Sequence, residues 1–364
     1  MKTGVSLSSW AMGAFALAAL AAFALSWLLT ARLRRYALRA QLLDHPNERS
    51  SHTVPTPRGG GVAIVISFLL ATAAMALAGA VSARLALALA AGGAAVAVLG
   101  FADDRKPLAA RYRFGGHLAA SVWLLWCMDP LPRVPMFGFD VDLGWLGGLL
   151  ALVFTVWSIN LFNFMDGIDG IASIEAITVA LGGALVWWLG GSTAQWPIAV
   201  VFAACALGFL MLNYPPARIF MGDAGSGFLG FVVASLALWC GTEGAHLYWS
   251  WFILMGCFMV DATTTLVRRV RRGERFYVAH RSHAYQFASR LFRSHQRVSL
   301  AVALLNLLWL LPWSLAVALR WIDGLVALGL AYAPLVALAF HFKAGDRAAQ
   351  ADSSSAVGCT GKEA

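Results

Sequence analysis

A chain of 364 residues with 60% hydrophobic residues, 12% charged residues and a mean hydropathy of +0.71 is too apolar for a soluble protein. The formal net charge of +9 brings nucleic acid to mind as a partner, but no basic groove interleaved with aromatic residues accompanies it. A bilayer core of about 30 Å needs roughly 20 apolar residues per helix, and open strands cannot satisfy their backbone in lipid. The composition predicts an all-α, polytopic integral membrane protein.

Apolar runs fall at about 10–30, 60–80, 84–102, 115–129, 144–162, 171–190, 196–213, 225–241, 247–266, 299–319 and 323–342. They predict about eleven transmembrane helices (10–11) in a single membrane-embedded domain over 1–345. A polar, aperiodic stretch with Ser353, Ser354 and Ser355 follows, read as a disordered tail over 346–364. The first run is Ala-rich like a secretory leader, but it is longer than a usual leader core. Arg32, Arg34 and Arg35 flank it, so it reads as the first membrane helix. No internal repeat is evident, which argues against an inverted-repeat transporter. Cys127, Cys205, Cys240 and Cys257 lie within or near the ends of apolar runs, and with Cys359 they show no C-x-x-C spacing, so disulfides are not expected.

Eleven spans sort the loops by parity. The loops after the odd-numbered spans, with the C-terminal tail, carry 23 of the 27 Lys and Arg residues, against Lys2, Arg84, Arg133 and Arg320 on the other face. The positive-inside rule puts the first set in the cytoplasm and the N-terminus in the periplasm. The basic surplus is then a matter of topology, and no nucleic acid is needed. On the opposite face, residues 129–143 read as a turn or hairpin, and Gly241-Thr242-Glu243-Gly244 as a tight connection.

Five polar constellations interrupt the apolar chain, all on the cytoplasmic side. The first is Pro55-Thr56-Pro57-Arg58-Gly59-Gly60-Gly61, where exposed glycine N–H groups suit an anion nest with Arg58 as phosphate partner. The second is Asp103-Asp104 at a span end, where two adjacent carboxylates can bind a divalent cation, accept a proton or simply be solvated beside Arg105 and Lys106.

The third, Asn163 to Gly170, places Asn163, Asp166 and Asp169 at i, i+3 and i+6. They converge on one ligand only if the helix end unwinds, which Gly167 and Gly170 permit. No basic residue lies in the segment, so its acids imply an external cation. The fourth, Phe220-Met221-Gly222-Asp223, opens the eighth span. Asp223 stands where an N-cap belongs, or else ligates a hard cation such as Mg²⁺ or Mn²⁺. Phe220 suits stacking on a base or a place in the aromatic belt.

The fifth is His280-Arg281-Ser282-His283, in a loop from Arg268 to Arg297 with nine arginines and a further histidine, His295. No third zinc ligand is near, and arginine with histidine suits diphosphate better than metal. Asp261, close to the inner end of the ninth span, is expected to pair with Arg268 or to join the acidic cluster.

Taken together and in this order, the five constellations resemble the polyprenyl-phosphate N-acetylhexosamine-1-phosphate transferase superfamily. That superfamily includes the phospho-N-acetylmuramoyl-pentapeptide transferase and the initiators of O-antigen and enterobacterial-common-antigen synthesis. The likeness spans about Asp44 to Tyr285. It rests on Asp103-Asp104, on N-x-x-D-G-x-D-G from Asn163 to Gly170, and on F-M-G-D-x-G-S from Phe220 to Ser226. His-x-x-His and the stretch His45-Pro46-Asn47-Glu48-Arg49-Ser50-Ser51-His52 resemble the initiator branch. The muramoyl branch has a lysine before its Pro-Thr segment and a run of histidines. This chain has neither, which counts against muropeptide recognition.

The resemblance implies transfer of an N-acetylamino-sugar 1-phosphate from a UDP-sugar to undecaprenyl or another polyprenyl phosphate, with Mg²⁺ and release of UMP, at the inner membrane. It implies Asp103 as base or nucleophile with Asp104 in support. Asp223, with Asn163 and Asp166, would hold the metal. Phe220 and Asp169 would hold uridine, with Gly222, Arg58, Thr56, Asp261, His280, Arg281 and His283 around the diphosphate or lipid phosphate. It also implies a homodimer. Three other readings are the muramoyl-pentapeptide transferase, a transporter or flippase, and a non-catalytic assembly protein of the same shape. A transporter site lies near the bilayer midplane, whereas these acids sit at span ends.

Overall fold

The computed structural model describes residues 9–44, 46, 54–128, 131, 133–137, 139–190, 195–274 and 280–346. The expected tail from residue 347 onward and, apart from Pro46, the segment 45–53 lie outside these residues.

Helix α1 (Ser9–Arg39) leads to β1 (Leu43–Asp44), which pairs antiparallel with β2 (Thr56–Pro57) ahead of α2 (Val62–Leu77). Helices α3 (Ala83–Leu87) and α4 (Gly93–Arg105) form one rod through a π turn at Ala88–Gly92, and α5 (Ala110–Met128) follows. The expected hairpin is present as β3 (Val134–Met136) against β4 (Phe139–Val141). Next come α6 (Gly144–Met165), α7 (Ile171–Leu189), α8 (Pro197–Asn213) and α9 (Asp223–Glu243). Helices α10 (Ala245–Leu254) and α11 (Gly256–Arg271) are bent by 72° at their junction. After the short α12 (Ala284–Leu291), α13 (His295–Leu304) runs through a π turn, Leu305–Leu310, into α14 (Leu311–Ala318). Helix α15 (Gly324–His341) is the last.

Each helix begins where the chemistry allows it. Ser82 accepts from the Leu85 amide at the start of α3, Ser294 from Arg297 at α13, and Asp323 from Leu325 and Val326 at α15. Pro197 opens α8, where its missing N–H costs nothing.

Every one of the eleven apolar runs lies on these helices, though fewer than eleven qualify as spans by length and composition alone. By length and composition seven described helices can cross a membrane, or eight if the bent α10–α11 pair is one span. Helices α2 and α8 are apolar but only 16 and 17 residues long, and α5 carries Arg111, Arg113 and His117 in its first half. Large apolar side chains such as Leu77, Trp145 and Trp321 point outward, where lipid can cover them. Cys127, Cys205, Cys240 and Cys257 are free, as expected.

Almost all of α9 is buried, and its neighbours reach it through small residues, the usual device where no water drives helices together. Ser158 of α6 donates to the Gly230 carbonyl at 2.9 Å. Gly61, just before α2, meets Gly225 so closely that a Cβ on Gly61 would lie 2.4 Å from the Gly225 Cα. Gly61→Leu is therefore expected to destabilise the bundle by about 1–3 kcal/mol or more. Gly13→Leu, where nothing lies within 4 Å, should be neutral. Thermal melting in detergent checks the pair.

Candidate active site

The start of α9 is where the site is built. Gly222 takes φ +80°, and a side chain there would meet Asp104 at 2.6 Å. Asp104, in the last turn of α4, accepts from the Asp223 amide at 3.0 Å through Oδ1 and from the Ala224 amide at 3.2 Å through Oδ2. Asp104 thus caps α9 from another helix, and Asp223 does not cap it as its position suggested: Gly222 is the N-cap residue and Asp223 the first helical one. This frees the Asp223 side chain. Arg58 Nη2 bridges the two acids, 2.9 Å from Asp104 Oδ1 and 2.8 Å from Asp223 Oδ1. Burial works against the Arg58 charge, but Asp104 and Asp223 outweigh it and raise its pKa.

The two aspartates of α4 have separate partners. Asp103 accepts from the Leu108 amide at 2.6 Å and pairs with Arg113 Nη1 at 2.9 Å. Neither acid rests on Arg105 or Lys106; Arg105 lies over the Phe101 ring instead.

Helix α6 continues to Met165, so Asn163 sits in its last turn, where its Oδ1 accepts from Ser226 Oγ of α9 at 3.2 Å. The helix then opens at Asp166, and Gly170 turns left-handed with φ +76°. Asp166 has no hydrogen-bond or ion-pair partner among the described residues. Desolvation first, and then the charge of Asp223, push its carboxyl well above the usual range. Asp169 diverges from it. Its Oδ2 accepts from the Ala217 amide at 3.0 Å and lies 3.3 Å from His295 Nδ1. Unwinding therefore brings Asn163 and Asp166 towards the Arg58 cluster and turns Asp169 to an adjoining polar cavity of about 520 Å³.

The glycine segment is no anion nest. Gly60 and Gly61 donate to the carbonyls of Phe220 and Met221, both at 2.9 Å, and the Phe220 amide donates to Pro57 at 2.8 Å. These bonds clamp the 55–61 segment to the 220–223 loop and aim Arg58 at the acids. Thr56 is buried in β2, and its hydroxyl donates to the Val54 carbonyl at 3.0 Å.

The histidine loop is held by Asp261, which neither pairs with Arg268 nor joins the acidic cluster. Its oxygens accept from His283 Nδ1 (3.2 Å), the Ala284 and Tyr285 amides (3.0 Å each) and Thr265 Oγ1 (3.2 Å). His280 stacks on His283 with centroids 4.9 Å apart, and Tyr285 Oη donates to the Phe164 carbonyl at 3.1 Å. That bond ties the loop to the Asn163–Gly170 segment. Burial lowers the Arg281 pKa.

Burial, then His283 and Arg269, lower the His280 pKa to about 3, so its ring is neutral at physiological pH and supplies no cation. With the folded pKa below the unfolded one, stability is present above pH about 6.5 and is lost as pH falls below it. His280→Asn is expected to flatten that acid limb in a melting series from pH 7.5 to 4.5.

A chain of contacts thus links all five constellations. Ser226, the last residue of the F-M-G-D-x-G-S motif, helps to join them, as do Arg113, Asn213 and Tyr285, which sequence reasoning gave no role. Buried Asn213 accepts from the Gly170 amide at 3.0 Å and donates to the Ile219 carbonyl at 2.9 Å. A polar residue closing an apolar run before Tyr214-Pro215-Pro216 was its only signal.

Four carboxylates, Asp103, Asp104, Asp166 and Asp223, meet two guanidiniums, Arg58 and Arg113. Among the described residues no three of His, Cys, Asp and Glu stand close enough to chelate a metal. Asp223, Asp166 and Asn163 nevertheless offer only oxygen donors, one of them without a protein partner. That set fits Mg²⁺ or Mn²⁺ rather than zinc.

The profile of glycosyl transferase family 4 matches residues 86–241, which hold both α4 aspartates, the Asn163–Gly170 segment and the Asp223 loop. A probable undecaprenyl-phosphate N-acetylglucosaminyl 1-phosphate transferase of Bacillus subtilis (strain 168) is 28% identical over 287 residues, 78% of this chain and 79% of the relative. The decaprenyl-phosphate N-acetylglucosaminephosphotransferase of Mycobacterium tuberculosis (strain CDC 1551 / Oshkosh) is 31% identical over 320 residues, 79% of each chain. A phospho-N-acetylmuramoyl-pentapeptide-transferase of Moorella thermoacetica (strain ATCC 39073 / JCM 9320) is 32% identical over 204 residues, covering 52% of this chain and 62% of the relative. With three of its five motifs inside the matched region and such relatives along most of its length, the chain belongs to glycosyl transferase family 4.

Proposed function

We propose that this protein transfers an N-acetylamino-sugar 1-phosphate from a UDP-sugar to undecaprenyl or another polyprenyl phosphate. A lipid phosphate oxygen forms a new P–O bond to the donor's sugar-bearing phosphorus, the P–O bond to UMP breaks, and UMP leaves. The observation that carries this reading is the Arg58–Asp104–Asp223 contact, which draws three distant loops into one acid-rich site. The names of the long-matching relatives support the polyprenyl phosphate and the N-acetylhexosamine. The muramoyl relative covers a smaller share of this chain, which favours the hexosamine over the muropeptide.

In this reading Asp223, with Asp166 and Asn163, would hold Mg²⁺, which would supply neutralisation of the diphosphate charge. Phosphoryl transfer needs such neutralisation and in-line positioning more than covalent chemistry from the protein. Asp103, fixed by Arg113, acts as base towards the lipid phosphate or, in a two-step route, as nucleophile at the donor's sugar-bearing phosphorus, and Asp104 holds the helix that presents Asp223. Phe220 and Asp169 hold the nucleoside. Arg281 takes a phosphate, His280 and His283 shape its loop, and Asp261 locks that loop in place.

An apolar cavity of about 390 Å³ beside Asp261 and Tyr285, between α11, α13 and α15, suits the isoprenoid chain. We place the site on the cytoplasmic face of the inner membrane, in a homodimer that initiates a cell-surface polysaccharide such as O-antigen. The charge bias of the loops supports this orientation.

Purified protein should release UMP from one member of a UDP-amino-sugar panel, only with undecaprenyl phosphate and Mg²⁺ present. Uptake of substrate by vesicles without nucleotide release would favour a transporter instead.

A further inference from the structure

Asp169 stands apart from the Arg58 cluster, and what aims it is helix α13. His295 is the first residue of that helix, set by the Ser294 cap. Its Nδ1 accepts from the Asp169 amide at 3.4 Å and lies 3.3 Å from Asp169 Oδ2, and one turn on, Ser299 Oγ donates to the Asp169 carbonyl at 2.9 Å. His295 and Asp169 are both largely shielded, with side chains 21% and 14% exposed, so water competes weakly for this contact. Both residues line the 520 Å³ polar cavity together with Pro215, Pro216, Arg290 and Arg293.

Helix α13 is itself pinned deeper in the bundle. Asn306, in the π turn that follows it, donates at 2.7 Å both to Glu175 Oε2 and to Thr178 Oγ1 of α7. All three side chains are buried. Residues 295, 299 and 306 are spaced by 4 and 7, which keeps them near one face of a helix. The 295–310 segment therefore contacts the Asp169 loop at its start and α7, the helix that this loop leads into, about three turns further on.

The geometry points to His295 as a positioning residue for Asp169. It holds the carboxylate at the cavity wall and so governs affinity for the nucleotide-sugar donor, not the rate of phosphoryl transfer. This deepens the proposed function and rests on its reading of Asp169 as a donor contact.

The test is steady-state kinetics with the UDP-sugar as varied substrate at saturating lipid phosphate. His295→Ala is expected to raise KM about tenfold, the scale of a lost hydrogen bond, with kcat within about twofold. His295→Phe, which keeps ring volume without a polar nitrogen, should do the same. His295→Asn, whose side-chain amide offers an acceptor to the Asp169 N–H and a donor to its carboxylate, should recover most of the loss. The double variant with Asp169→Ala should be no worse than Asp169→Ala alone.

An unchanged KM in His295→Ala and His295→Phe, with KM raised in Asp169→Ala, overturns the positioning role and spares the donor reading. An unchanged KM in Asp169→Ala overturns the donor role of Asp169, and this inference with it. A fall in kcat without a rise in KM, unrescued by His295→Asn, marks His295 as merely structural and also overturns it. If the first two variants do not fold, His295→Asn decides alone: near wild-type KM supports positioning, and a tenfold rise contradicts it.

Discussion

Asp223→Ala is expected to lower turnover by about 10³-fold or more while leaving the protein folded. The two halves of this expectation have separate causes. Its carboxylate faces Arg58 and, in the proposed reaction, the metal and diphosphate, so its loss removes charge stabilisation where charge is transferred. The amide groups that open α9 are satisfied by Asp104, so the helix does not depend on the Asp223 side chain. UMP release measures the first effect, and circular dichroism with thermal melting measures the second. Turnover within tenfold of wild type would remove Asp223 from the machinery.

Asp104→Ala should do the opposite in kind: it should cost stability as well as activity. Its side chain, 8% exposed, caps two amides of α9 and pairs with Arg58, so truncation leaves two donors and one guanidinium without their shared acceptor. Breaking such a buried contact costs about 3–5 kcal/mol. Arg58 keeps Asp223 as a partner and is itself 41% exposed, which places the expected loss at the lower end of that range. Asp104→Asn retains an oxygen acceptor for one amide and should recover part of the stability. A melting temperature equal to wild type in Asp104→Ala would contradict the cap.

The sequence made the chemistry legible and left much of the geometry hidden. Acid and glycine motifs in an apolar chain, sorted by loop parity, were enough to expect that five segments meet, because a polar residue at a span end has few reasons to be there. Their partners were not legible. Asp104 was one of two adjacent acids, and nothing local says that it caps a helix more than a hundred residues away. Asp261 looked like a partner for Arg268, one to two turns along the same helix. Long-range folding gave it the amides of α12 instead.

The glycine segment read as a nest because free N–H groups are assumed in an isolated loop. Pairing with 220–221 consumes those of Gly60 and Gly61. Counting spans by hydropathy found every helix but the short α12, yet α2, α5 and α8 show that an apolar run need not be long or apolar enough to pass as a span by itself. Glu175 and Asn306 escaped notice because each is a single polar residue inside an apolar run, and only their juxtaposition gives them meaning.

The most direct measurement of the central claim is the identity of the nucleotide released when purified protein consumes the UDP-sugar in the presence of undecaprenyl phosphate. The lipid product is to be weighed by mass spectrometry in the same reaction. Release of UMP in equal amount to a lipid that has gained the sugar and one phosphate is the predicted result, since the reaction breaks the donor's P–O–P linkage. Release of UDP, with a lipid that has gained only the sugar, would mean cleavage at the sugar carbon and would contradict the account.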